Sequence, residues 1–348
     1  MSEPMHLTRS ISRIERKTVR LPQQHGVETR PLFPGTTLLL LVTPTGSGAD
    51  LVSWAAGHRE VIASFLLKHG GILFRGFSVR DLSDFRAFIQ AVSGDPLEYK
   101  YRSTPRVEVG ANIYTSTEYP ADQEILAHNE NSYSRVWPSK LFFYCETPSE
   151  EGGMTPISDS ARVFDRISPE LRSRFMEKNV MYVRNYGGGA DLPWQQVFQT
   201  EDPAAVEEFC QRAGIELEWR DGGRLRTRQV CQAVARHPSS GRMLWFNQAH
   251  LFHLSSVPEK VRSALLEIFT EDELPRNACY GDGSPIAAED IEQIREAYRQ
   301  EQVAFPWQKG DILLLDNMAV AHARTSYRGE RRIRVGMAEP VDGRTLES

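Results

Sequence analysis

Beyond residue 95 the chain breaks into short runs of aromatic and β-branched side chains, among them NIYTST, LFFYC, VMYVRNY, GIELEW, RMLWFN and DILLLDN, punctuated by Gly, Pro, Thr and Asn. Runs of this length between turn formers read as strands, and many of them at close spacing suggest a β sandwich or barrel. Helices interrupt the pattern. One is expected from Ser168 as N-cap with Pro169 at the first helical position, carrying Leu171 and Phe175 inward. Others are expected over 203–213, 258–269 and 287–300. The fold class is therefore mostly β with helical insertions (α+β).

The first hundred residues add a shoulder. TTLLLLVTP reads as a strand, then a helix follows with Asp50 as N-cap and Leu51, Trp54, His58, Ile62 and Phe65 on one face, ended by Gly70 and Gly71. ILFRGF is a second strand, and DLSDFRAFIQAVSG a second helix with Leu82, Phe85, Ile89 and Val92 on a stripe. No repeat, low-complexity tract or linker divides the chain, so residues 31–348 are expected to form one domain. Residues 1–30 are expected to form a poorly ordered arm.

Charge and composition narrow the function. Hydrophobic residues make up 40% of the chain and charged residues 25%, an ordinary globular balance, and the formal net charge of −5 gives no basic field to attract nucleic acid. LLLLV at 38–42 falls far short of the roughly 20 apolar residues of a membrane span. No apolar stretch follows the N-terminal arginines in signal-peptide order. The four cysteines, Cys145, Cys210, Cys231 and Cys279, form no C-x-x-C pair, which points to free thiols and a cytoplasmic address.

The chemistry is concentrated in AHNENSY, residues 127–133. On an extended segment positions i and i+2 share a face, so His128 and Glu130 converge while Asn129 turns away. Alone, H-x-E is a weak signal. A third ligand is expected from His322, which follows the buried strand and turn of GDILLLDNMAVAH. Two histidines and a carboxylate on one face leave coordination positions open, the arrangement of non-heme Fe(II) oxygenases. Thr155 and the arginines Arg331, Arg332 and Arg334 supply the hydroxyl and guanidinium that would catch the far carboxylate of a metal-chelating dicarboxylate.

The order His128-x-Glu130, Thr155, His322 and a strand-borne arginine resembles the TauD/TfdA family of Fe(II)- and 2-oxoglutarate-dependent dioxygenases, in particular its SyrP-like branch associated with peptide natural products. HGGILFRGF, RSTPR, YTSTEYP, HNENSY, WPSKLFFYCETPSEEGGMTPISDS, WFNQAH, YGDGS and FPWQKGDILLLDNMAVAHARTSYRGERRIRVGM all read like that branch, covering about residues 35–340. The resemblance implies a double-stranded β-helix, or jelly roll, with iron on His128, Glu130 and His322. It further implies 2-oxoglutarate on Thr155 and on Arg331, with Arg332 a close second, and dioxygen as cosubstrate. The carboxylate is Glu, where taurine-type relatives have Asp. Its retention argues against halogenation, since related halogenases open a chloride site by losing it.

The implied reaction is hydroxylation of an unactivated C–H bond, with succinate as coproduct. The substrate would be an amino acid or derivative, free or held on a peptidyl carrier protein, in secondary metabolism; desaturation is the alternative oxidative outcome. A rival reading keeps the three ligands but runs metal-dependent hydrolysis or isomerisation, which would not need Thr155 and the arginine. Arg102 and Arg106 in YRSTPR, and Asn247 with Gln248, are candidate substrate contacts. His250 and His253 form an H-x-x-H without a third ligand and read as structural or substrate-facing; His237 reads as a turn residue. YGDGS is expected to be a loop over the substrate.

Overall fold

The computed structural model describes residues 26–98, 107–116, 119–189 and 191–346. Its largest element is an eight-stranded sheet, in the order Val27–Pro31, Leu40–Pro44, Gly71–Phe74, Ile312–Asp316, Val136–Thr147, Arg332–Asp342, Ile113–Thr115 and Glu108–Gly110. Every pairing in it is antiparallel except that of Leu40–Pro44 with Gly71–Phe74. Chain ends and centre therefore meet in one sheet, with Ile312–Asp316 seated between Gly71–Phe74 and Val136–Thr147.

The apolar runs LLLLV, LFFYC and ILLL show no polar alternation because both faces of this sheet are covered. Leu40, Val42, Ile72, Phe74, Phe142, Tyr144, Ile312 and Leu314 pack under the helices near the N-terminus. Their strand neighbours Leu41, Leu73, Leu141, Phe143, Leu313 and Leu315 face the opposite way, into the jelly-roll interior. Opposite them lies a three-stranded sheet, Ile125–His128, Val320–Arg324 and Ile157–Asp159, with Val320–Arg324 in the middle. The two sheets form the double-stranded β-helix core.

VMYVRNY and GIELEW do not join that core. Val180–Tyr186, Glu216–Arg220, Arg224–Cys231 and Arg276–Tyr280 form a separate four-stranded sheet. Helices Pro169–Lys178, Pro203–Ala213 and Ala288–Glu301 pack on it, their Phe175, Cys210, Ile291 and Ile294 sharing one apolar cluster with the sheet's Tyr182. This lobe packs on the outside of the three-stranded sheet, where Ala127, Ala321 and Ala323 belong to the same apolar cluster. Small side chains there let the layers approach while the alternate residue, His322, faces inward beside Phe143.

Two expectations need correction. The helix read as continuous from Leu51 is two, Leu51–Gly57 and Arg59–His69, because His58 leaves helical geometry and its ring Nδ1 donates to the Trp54 carbonyl. The Asp50 cap and the Gly70 stop hold as expected; Gly70 adopts φ +67 at the C-cap. Residues 27–30, read as part of the arm, belong to a strand, since Val27–Pro31 pairs along its length with Leu40–Pro44. Residues 1–25 lie outside the described residues. No helix among the described residues is long and apolar enough to cross a membrane.

Candidate metal centre

His128 ends the strand Ile125–His128, and His322 sits within Val320–Arg324; these strands pair so that His128 lies directly opposite His322. Their rings stand 4.4 Å apart between centroids, and the Phe143 ring lies 5.1 Å from that of His322. Glu130 joins them from the turn beyond His128, not from a continued strand as the i, i+2 reading supposed. One ligand atom from each of His128, Glu130 and His322 lies within 4.8 Å of the others, and among the described residues no other group of three His, Cys, Asp or Glu converges so. Glu130 is 3% exposed and His322 6%. Two imidazoles and a carboxylate within reach of one ion are a donor set suited to Fe(II) that leaves positions for other ligands.

The turn holds its shape through amide side chains at buried positions. Asn317 Oδ1 accepts from the Glu130 N–H at 2.7 Å, and Asn317 Nδ2 donates to the carbonyls of Glu130 at 2.9 Å and Pro138 at 2.8 Å. Asn129 returns the contact, donating to the Asn317 carbonyl at 2.6 Å and to Ser160 Oγ at 3.1 Å. Gln248 Nε2 donates to the Asn129 carbonyl at 2.8 Å. Asn131 completes the turn at φ 57, a left-handed conformation that Asn tolerates better than most residues. His128 Nδ1 donates to the Leu126 carbonyl at 2.9 Å, so Nε2 is the nitrogen it would offer to a metal.

Asn317 is itself fixed from behind. The Asp316 carboxylate accepts from the backbone N–H groups of Met318 and Ala319, each at 3.0 Å, and from His237 Nε2 at 2.9 Å. His237 is thus a turn residue, as expected, with a second task of bracing the DN turn. His250 is buried with Nε2 donating to the Ala127 carbonyl at 2.8 Å, and burial pushes its pKa down to about 3, so it stays neutral. His253 spans Ser255 Oγ at 2.9 Å and the Ile286 carbonyl at 3.1 Å. Among the described residues neither histidine joins a group able to hold a metal.

The arginines separate clearly. Arg332 is exposed and pairs with Glu330 and, at 3.6 Å, with Glu146; Arg334 pairs with Glu146 at 2.5 Å. Arg331 points the other way, as strand alternation predicts. Its Nε donates to the Gly153 carbonyl at 2.9 Å, its Nη1 lies 3.4 Å from Ser116 Oγ, and its guanidinium stacks 5.6 Å from the Tyr327 ring centroid. No carboxylate pairs with it among the described residues. Burial, and then the charge of Arg324, push its pKa down to about 10. It therefore remains a cation at neutral pH, in a setting that favours an incoming carboxylate. Gly153 must be glycine: at φ +64, a Cβ would lie 3.0 Å from Arg331 Cδ and 2.3 Å from Ser149 Oγ. Thr155, two residues on, is buried and accepts from Trp307 Nε1 at 3.1 Å.

A cleft of about 1300 Å³ opens on His128 and Glu130, walled in part by Leu126, Phe252, Val261 and Arg276. Gln248 lines it; Asn247 does not. Asn247 is fully buried, with Nδ2 donating to the Ala233 carbonyl and Oδ1 accepting from the Ala249 N–H, so both amide ends are spent on backbone. This corrects its reading as a substrate contact. Arg102 and Arg106 lie outside the described residues. YGDGS is a tight turn closed by the Tyr280 N–H on the Ser284 carbonyl and by Lys178 on Asp282, and it is absent from the cleft wall. The sequence reading missed the bracing roles of Asn129, Asn317 and Trp307, and it missed Arg276. Asn317 was visible only as a turn former, since its partner is 187 residues away.

Comparison with known proteins agrees with this geometry. The family model described as "Taurine catabolism dioxygenase TauD, TfdA family" matches residues 28–337. The dapdiamide synthesis protein DdaC of Enterobacter agglomerans is 40% identical, over 91% of this chain and 96% of its own length. A clavaminate synthase-like protein of Arabidopsis thaliana is 32% identical, over 90% of this chain and 95% of its own. Among solved structures, PvcB from Pseudomonas aeruginosa aligns with a TM-score of 0.57 at 14% identity, covering 93% of this chain and 96% of PvcB, a likeness of fold. The chain belongs to the TauD/TfdA family and is a dioxygenase dependent on Fe(II) and 2-oxoglutarate.

Proposed function

We propose that the protein hydroxylates an unactivated C–H bond of an amino acid or amino-acid derivative, free or held on a peptidyl carrier protein, in a secondary-metabolic pathway of the cytoplasm. The observation that carries the reading is the convergence of His128, Glu130 and His322, two of which, His128 and Glu130, line a cleft large enough for such a substrate. The relative named for dapdiamide synthesis, alike over nearly its whole length, supports a natural-product setting. The SyrP-like motifs support the amino-acid substrate class.

His128, Glu130 and His322 would hold the iron, with Thr155 and Arg331 receiving the far carboxylate of 2-oxoglutarate. Arg331 is preferred over Arg332 because Arg332 already pairs with Glu330 and Glu146 in solvent. Bound Fe(II) with 2-oxoglutarate and dioxygen supplies an oxidant able to break a C–H bond. The protein's share is positional. Asn129 and Asn317 fix the backbone on either side of the Glu130 carboxylate, and the Leu126 carbonyl orients His128. Phe143 packs on the inward-facing His322 ring, and the lobe covers the outer face of the strands that carry His128 and His322.

Retention of Glu130 fills the position a halide would need, which favours hydroxylation over halogenation. A hydrolase or isomerase would have no use for a half-buried guanidinium held ready for a carboxylate. Anaerobic reconstitution with Fe(II) and 2-oxoglutarate, followed by air and candidate substrates in free and carrier-bound forms, tests the proposal. Succinate formed together with a mass gain of one oxygen supports it. Loss of two hydrogens would indicate desaturation, and product without succinate would defeat the oxygenase reading of these residues.

A further inference from the structure

Arg276 stands on the wall of the cleft that also holds His128 and Glu130. Its neighbours are organised around charge. Arg276 lies directly opposite Arg184 on adjacent antiparallel strands, a placement of like charges that costs stability in a sheet. Both reach one carboxylate, Asp191: Arg276 Nε donates to it at 2.9 Å and Nη2 makes a second bond, while Arg184 Nη2 lies 3.9 Å away. Arg184 is 1% exposed and committed to the interior; the Asp191 side chain, 7% exposed, borders the cleft beside Arg276, and one third of the Arg276 side chain, 33%, is open there. The Phe252 ring, 5.5 Å from the Arg276 guanidinium, forms a flat platform beneath it. Much of the surrounding wall is apolar, including Leu192, Leu251, Leu274 and Pro275.

Such a guanidinium is oriented from behind, partly desolvated, and set in a surface that would shield its interaction from water. We infer that Arg276 is the anion-binding residue of the substrate cleft and that it takes a free carboxylate of the substrate, whose apolar body lies along the neighbouring wall. This rests on the proposed oxygenase function and narrows it. An acid consumed as a carrier thioester has no charge to offer at that point, so the free acid is the favoured form. Arg276 is distinct from Arg331, which is assigned to 2-oxoglutarate.

The test uses the full chain loaded anaerobically with Mn(II) and 2-oxoglutarate, with calorimetric titration of N-acyl-L-amino acids, acetyl to octanoyl, and of the matching C-terminal amides. The expected result is that acids bind about tenfold more tightly than amides, that Arg276→Gln removes the preference, and that Arg276→Lys, which keeps the charge, retains part of it. Thermal unfolding of each variant checks folding. Equal binding of acid and amide, a preference that survives Arg276→Gln, or no binding of any acid overturns the assignment. Uptake of Mn(II) and 2-oxoglutarate is measured separately. If it fails, the oxygenase reading falls while the acid–amide comparison is still read on the metal-free chain.

Discussion

The corner that holds His128, Glu130 and His322 and the rim helix Glu259–Ile268 face the same cleft but are built to opposite standards. At the corner, Asn129, Glu130, Asn317 and His322 are buried, and the backbone between ligands is tied by amide side chains from two distant segments. On the rim helix no residue is buried; Val261 is 47% exposed and Ile268 72%. The difference separates two jobs. A ligand set must be held within fractions of an ångström, so its supports are packed and cross-tied by hydrogen bonds, whereas a wall that chooses substrates tolerates change.

Substitutions can break that contrast. The largest effect is expected from Glu130→Ala, which should drop substrate oxidation to background while leaving the fold intact by circular dichroism; unchanged turnover would remove Glu130 from the ligand set. Next, Arg331→Gln should raise the apparent KM for 2-oxoglutarate about 100-fold, the worth of about 3 kcal/mol of charge-assisted hydrogen bonding. Arg332→Gln should change it less than about twofold, and a reversal of the two would exchange their roles. Asn317→Ala should weaken iron binding by about 10–100-fold in equilibrium dialysis, the usual range for a group that orients a ligand.

Smaller effects sharpen the contrast. His250 has a pKa lowered by burial, so below pH 6.5 the unfolded chain takes up a proton that the folded chain refuses until about pH 3. Stability from this residue is complete above pH 6.5 and is lost on acidification, by up to about 1.4 kcal/mol per pH unit. His250→Gln should flatten denaturant-derived stability between pH 7 and pH 5 relative to the wild type. On the rim, Val261→Ser and Ile268→Ser should each alter stability by less than about 0.5 kcal/mol. Only Val261→Ser, which touches the cleft, should shift the substrate KM.

The convergence of His128, Glu130 and His322 was legible because its elements are local: H-x-E in one segment, and a histidine after a buried strand in another. Helix caps such as Asp50, Ser168 and Gly70 were legible for the same reason. The Asn129–Asn317 interlock was not, since nothing in either local sequence distinguishes an amide that caps a turn from one that reaches across 187 residues. VMYVRNY and RMLWFN carry strand signals without partners written into them. Strand register decided that VMYVRNY pairs with Arg224–Cys231 and Arg276–Tyr280 in the outer lobe. Arg276 was invisible because RNACY resembles any edge of a strand until Asp191 and Arg184 are brought beside it.

The most direct measurement is iron stoichiometry under anaerobic equilibrium dialysis for the wild type and for His128→Ala, Glu130→Ala and His322→Ala. The wild type should retain one Fe(II) per chain, with each variant losing most of that binding while remaining folded. Full iron retention in the His322 variant would contradict a single centre built from both segments.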